Sequence, residues 1–248
     1  MPFVDDHKEL SFSRQAPQPQ PNPTPMTMKE IPDAFNINWV SEESAKASPG
    51  LATLRSFLGS AQTMFGEANM RRSIVDVYQT QAANARDIET IVGKIEQRIF
   101  DGVAPTRRAL SDSKASIQSN IDSIGALKPD SYAAEIRAAF KGMKPEAAQS
   151  ALSEAVDSND VQTLAAVLDA PTLTTGLSAE LRAALKNRYL TRLAPQQMQL
   201  LAEHEKAEQR LASTELQILP TIVSLYEGTG KHKQAQVTLA QIKANYGE

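Results

Sequence analysis

Gly228-Thr229-Gly230-Lys231 is a stretch whose residue types could cradle a phosphate, through closely spaced backbone amides and a lysine ammonium. A phosphate loop needs Gly-x-x-x-x-Gly-Lys-Ser/Thr after a strand. Here Leu225 stands where the first glycine belongs and His232 replaces the hydroxyl residue. His204-Glu205 starts a zinc-protease-like pattern, but Glu208 occupies the place of the second histidine. Asp5, Asp6 and His7 are adjacent oxygen and nitrogen donors that read as solvated charge. With 3 histidines and no cysteine, neither a metal site nor a histidine-based nucleophile finds its parts. Arg71-Arg72, Arg107-Arg108 and Lys231-His232-Lys233 are short basic clusters, each read as a solvated face. These residues point to a non-enzymatic chain with no cofactor and no metal.

The elements that carry these residues are announced by proline. Half of the 14 prolines fall between Pro2 and Pro32, and the rest are spaced like punctuation. Proline fixes φ and lacks an N–H, so it suits extended arms and the first turn of a helix. The fold expectation is therefore all-α: an elongated helical bundle of hairpins behind a Pro-rich arm. The hydrophobic fraction is 41% but aromatics are only 5%, with alanine making up much of the difference, which suits thin helical bundles. A net charge of -3 makes nucleic acid an unfavoured partner. The N-terminus lacks the pattern of a signal peptide, and no apolar run is long enough to span a bilayer. Virion or host cytoplasm, or otherwise cytoplasm, is the expected location.

Three regions are expected. Residues 1–47 read as an extended, largely irregular arm, with polyproline character over Pro17–Pro25. Phe35, Ile37 and Trp39 alternate with polar residues, as in a segment that adds to a partner's surface. The alternative is a loop that tucks Trp39 onto its own domain. Residues 48–128 read as a long helical hairpin. Ser48 is the expected N-cap and Pro49 the first helical residue. Ile74, Tyr78, Gln81, Ala85, Ile88, Val92, Ile95 and Ile99 repeat at spacings of four and three, a heptad seam. The seam is filled either by the chain itself or by a homo-oligomer. Asp101–Pro105 reads as the hairpin turn, ahead of a stripe at Leu110, Ile117, Ile121 and Ile124. Residues 129–248 read as a bundle of shorter helices, capped at Asp160 and Ser178, opened at Pro145 and Pro195, kinked or restarted at Pro220, and closed by a hairpin around Gly228.

Ile222, Tyr226, Gly230, Ala235 and Leu239 resemble one helix-turn-helix unit of a tetratricopeptide repeat, without the large residues usual at its start and without a second copy. The series Ala151-Leu152-Ser153-Glu154-Ala155-Val156, Asn159-Asp160, Thr163 to Pro171 and Thr175-Gly176-Leu177-Ser178 resembles a segment of poorly characterised all-helical proteins of tailed bacteriophages and prophages, over roughly 130–215. That resemblance implies a virion or head-assembly context. The expected function is a structural or assembly protein that binds other virion or assembly proteins through residues 1–40. The alternative is a cytosolic adaptor that binds partners through its C-terminal hairpins.

Overall fold

The computed structural model of the chain describes residues 22–246. Among them there are α-helices and short 3-10 turns but no strand, so the chain is all-α. The helices are α1 (Glu42–Ala47), α2 (Pro49–Ser73), α3 (Gln81–Ile124), α4 (Ala133–Gly142), α5 (Pro145–Ser158), α6 (Val161–Val167), α7 (Thr172–Thr175), α8 (Ala179–Leu193), α9 (Pro195–Leu225) and α10 (His232–Tyr246).

The hairpin turn lies elsewhere than expected. Asp101–Pro105 is not a turn: α3 runs through it for 44 residues, about 66 Å at a rise of about 1.5 Å per residue. Three features let it continue. Pro105 and Asp101, whose carbonyl the proline leaves free, both lie on the exposed face, where water solvates that carbonyl. Gly102 packs under Phe57, whose ring atoms would lie 3.0 Å from any Cβ added there. Thr106 is buried and returns its hydroxyl to the Gly102 carbonyl at 2.7 Å. The real turn is 74–80, where the Asp76 carboxylate accepts from the Tyr78 amide (2.9 Å) and Thr80 caps α3 at the Ala83 amide (3.2 Å). Ile74 and Tyr78 therefore leave the seam. Tyr78 is 97% exposed on the turn.

From Ile88 onward the seam holds. Ile88, Val92, Ile95, Ile99, Leu110, Ile117 and Ile121 lie buried on one stripe of α3. The chain fills this stripe itself. Ile88 to Leu110 share a core with Leu51, Leu54, Leu58 and Phe65 of α2 and with Leu211, Ile218 and Ile222 of α9. Polar pairs fix the directions. Lys114 meets Glu208 (2.7 Å), Arg107 meets Glu215 (2.5 Å) and Tyr226 meets Glu96 (3.0 Å), so α9 runs antiparallel to α3. Arg71 meets Asp87 at 3.0 Å, so α2 is antiparallel to α3 as well.

A second core joins the end of α3 (Ile117, Ile121) to α4 through α8 and the start of α9. Here the local signals hold. Pro145 and Pro195 open α5 and α9, and the Asp160 and Ser178 side chains accept from the Thr163 (3.1 Å) and Leu181 (3.2 Å) amides. Asn159 ends α5 in the left-handed conformation at φ 56. The division at 128/129 does not separate the cores, because α9 starts in the second and returns along the first. Pro220 does not end α9. Its i−4 partner, Leu216, is exposed, so the freed carbonyl faces water.

Candidate functional site

Residues 22–41 form a strap across the first core rather than a free arm. Its backbone is tied down along its length. The Met26 amide donates to the Arg72 carbonyl (2.9 Å), and the Asn69 side chain brackets Lys29, accepting from its amide (2.8 Å) and donating to its carbonyl (2.6 Å). Thr214 donates to the Ala34 carbonyl at 2.9 Å, and Arg55 donates to the carbonyls of Ile37 (3.3 Å) and Val40.

Arg72 is the centre of this attachment. Its guanidinium is 2% exposed and donates to the carbonyls of Thr27 (3.0 Å), Glu227 (2.9 Å) and Leu225. It thus neutralises the carbonyl end of α9 while gripping the strap. Burial pushes its pKa down, and nearby Glu227 opposes that. Lys29 pairs with Glu227 and holds that carboxyl below its usual range.

Two of the three expected anchor residues, Phe35 and Ile37, turn inward. Phe35 is fully buried, edge-on to Phe65 with ring centroids 4.8 Å apart. Ile37 lies half-buried over Gly59, where an added Cβ would come within 2.9 Å of its Cδ1. Trp39 stays half-exposed. Arg210 stacks on its ring at 3.5 Å, and its indole N–H donates to the Asp33 carbonyl (3.1 Å) and carboxylate (3.2 Å). The extended reading of 33–47 gives way to two 3-10 turns (Asp33–Phe35, Ile37–Trp39) and α1, because Asn36 and Ser41 cap them by accepting from the Asn38 and Ser44 amides. The polyproline stretch up to Pro21, and Asp5, Asp6 and His7, lie outside the described residues.

The Gly228 loop is structural. Gly228 takes φ +83 beside the Met26 sulfur. The Lys231 amide, which a phosphate would need, already donates to the Glu89 carboxylate at 2.9 Å. Among the described residues no cluster of three metal-ligating side chains forms.

Ser48 and His204 form a pair that the sequence reading missed. The Ser48 hydroxyl, expected to cap α2, meets His204 Nε2 at 2.7 Å. Burial pushes the imidazole pKa down against the opposing charge of Glu208. Both residues are buried (Ser48 2% and His204 0% exposed), so the pair lies in the interior. One hint was legible: a histidine on the α9 stripe that also carries Leu211 and Ile218.

An open groove of about 1160 Å³ runs along α2. Short side chains make its floor: Ala52, Ser56, Gly59, Ser60 and Thr63. Ile37, Ala45 and Lys46 wall one side, and Arg98, Gly102 and Thr106 the other. Surface helices normally carry charge on the solvent face. This face carries none from Ala52 to Thr63 except Arg55, which folds under the strap onto the Ile37 and Val40 carbonyls. At about 1160 Å³ the open groove exceeds the usual volume of a small-molecule pocket. A smaller cleft of about 210 Å³ lies between α9 and α10, lined by Leu219, Val223 and Ala235 together with Glu96, Lys231 and Thr238.

Comparison of the chain with protein-family models, with curated proteins and with solved structures finds no match.

Proposed function

We propose that this chain is a non-enzymatic structural or assembly protein of a tailed-phage particle, at work in the virion or the host cytoplasm: an internal or ejected protein, a scaffold, or a subunit clamped to its neighbours. The open groove over α2 carries the reading, since its short-side-chain floor suits a protein segment. The resemblance over 130–215 supports the particle context. Phe35 and Ile37 pack on the chain's own body, so under this reading the groove is the surface offered to other proteins.

Light scattering of the purified chain, alone and mixed with candidate portal, capsid and tail proteins, tests this directly. Co-elution with one of them, together with detection in purified particles by mass spectrometry, is the expected result. Absence from particles and from assembly intermediates overturns it. A second reading, a peptide-binding adaptor, is favoured by the cleft between α9 and α10, two helices that also expose Leu216, Val237 and Ile242. Leu216→Glu with Val237→Glu abolishes partner binding under that reading and leaves it intact under the first.

A further inference from the structure

We propose that the furrow between α1 and α9, headed by Trp39, binds a neutral oligosaccharide. This site is separate from the groove over α2 and does not rest on the assembly reading. Gln196, Gln199, Glu203, Lys206, Arg210 and Ser213 recur at spacings of three and four, so they form one polar stripe along α9. Ser41, Glu43 and Ser44, from α1 and its cap, line the other side. Two hollows, of about 370 and 530 Å³, lie between these walls and share Ser41, Ser44 and Glu203. Each falls within the volume range of a small-ligand pocket, about 300–1,000 Å³. From Gln196 to Ser213 the furrow runs about 26 Å at helical rise, which suits a chain of sugars better than a single one.

The side chains select the ligand in three ways. The walls are rich in hydroxyls and amides, which donate and accept at once, as sugar hydroxyls do. The Ser41 and Ser44 hydroxyls lie 2.6 Å apart, and the Gln199 amide donates to the Glu203 carboxylate at 3.2 Å. A polyhydroxylated ligand joins such a network in place of water without orphaning a donor. Trp39 adds a stacking platform that is already fixed. Arg210 covers one face at 3.5 Å, and Asp33 holds the indole N–H through its carbonyl (3.1 Å) and carboxylate (3.2 Å), yet the residue stays 53% exposed. The electron-rich face of an aromatic ring attracts the positively polarised C–H face of a sugar, and an immobilised ring loses little freedom on stacking. Charge is mixed: Glu43 and Glu203 are set against Lys206 and Arg210, so the furrow favours neither a polyanion nor a polycation. A peptide is served less well, because helical walls offer it no open backbone edge to pair with.

Trp39 is the chain's single tryptophan, so its emission reports on the furrow directly. The full chain is titrated with maltohexaose, cellotetraose and chitotetraose, followed by Trp39 emission and by calorimetry. At least one sugar is expected to shift the emission saturably, with a heat signal of the same midpoint. Trp39→Ala, read by calorimetry, should weaken that binding about tenfold, the loss of one stacking contact. Gln196→Ala combined with Ser213→Ala alters two exposed side chains, keeps the reporter, and should also cost about tenfold through lost hydrogen bonds. Unchanged affinity in either variant places the sugar elsewhere and overturns the proposal. So does the absence of a saturable shift with all three sugars. A shift produced only by tryptic peptides of an unrelated protein gives the furrow to peptides and overturns it too. Each failure leaves co-elution with particle proteins free to succeed, so it is distinct from failure of the assembly reading.

Discussion

The two cores are built by different means. The second, α4 to α8, is assembled from short helices, of which α5, α6 and α8 are started by their own proline or capping side chain. The first is assembled from three long helices and a strap, and its decisive contacts join residues far apart in sequence. Arg72 reaches Leu225 and Glu227, Ser48 reaches His204, and Thr214 reaches Ala34. Local chemistry suffices where elements are short. Where they are long, tertiary contacts outvote it: Ser48 gives up its cap, and α3 ignores Gly102 and Pro105.

The largest expected effect comes from breaking the strap's main tie. Arg72→Ala leaves the buried Leu225 carbonyl and the part-buried carbonyls of Thr27 and Glu227 without the guanidinium donor, a loss of about 3 kcal/mol in urea unfolding. Phe35→Ala should cost about 3–4 kcal/mol by opening a cavity against Phe65. It should also red-shift the emission of Trp39, the chain's single tryptophan. Removing 1–21 should leave melting unchanged, whereas removing 1–40 should lower it steeply. Equal tolerance of both truncations would reduce the strap to a passive tail.

The Ser48–His204 pair makes the first core sensitive to acid. Burial holds the folded imidazole pKa below its unfolded value of about 6.5, so the unfolded chain binds the proton more readily. Stability from this pair is complete above about pH 6.5 and falls as the pH drops toward the folded value. Glu203, Glu208 and Lys114 are the charged groups that face it. Urea midpoints at pH 7.5 and 5.5 should differ for the native chain, and the difference should shrink in His204→Gln. A flat profile in the native chain would mean that the imidazole is reached by water.

In the second core the effects should be local and small. Asp160→Ala removes the α6 cap and should cost about 1 kcal/mol. Because α3 and α9 run through both cores, its unfolding curve should still be a single transition whether followed by circular dichroism or by Trp39 emission. Separate transitions would make the cores independent. The smallest effect is Tyr78→Ala, on the exposed turn, within about 0.5 kcal/mol of the native chain.

The in-phase stripe itself was readable in the sequence. Ile99, Val103, Thr106 and Leu110 continue the four-and-three spacing across Pro105, which argues for one helix more strongly than Asp-Gly and Pro argue for a turn. The groove was not readable. Its floor residues are small and polar, and only the placement of the strap and α3 beside them makes a trough.

By itself the sequence determined helical class, the starts of α5, α6, α8 and α9, and the buried seam from Ile88 to Ile99. Each of these follows from periodicity or from a cap acting within one turn. Only the tertiary structure decided where the long hairpin turns, that Phe35 is core while Trp39 stays half-exposed under Arg210, and that a guanidinium and an imidazole sit in the interior. Those outcomes depend on which distant carbonyls, rings and hydroxyls come within bonding range, and a single strand of sequence carries no such distances.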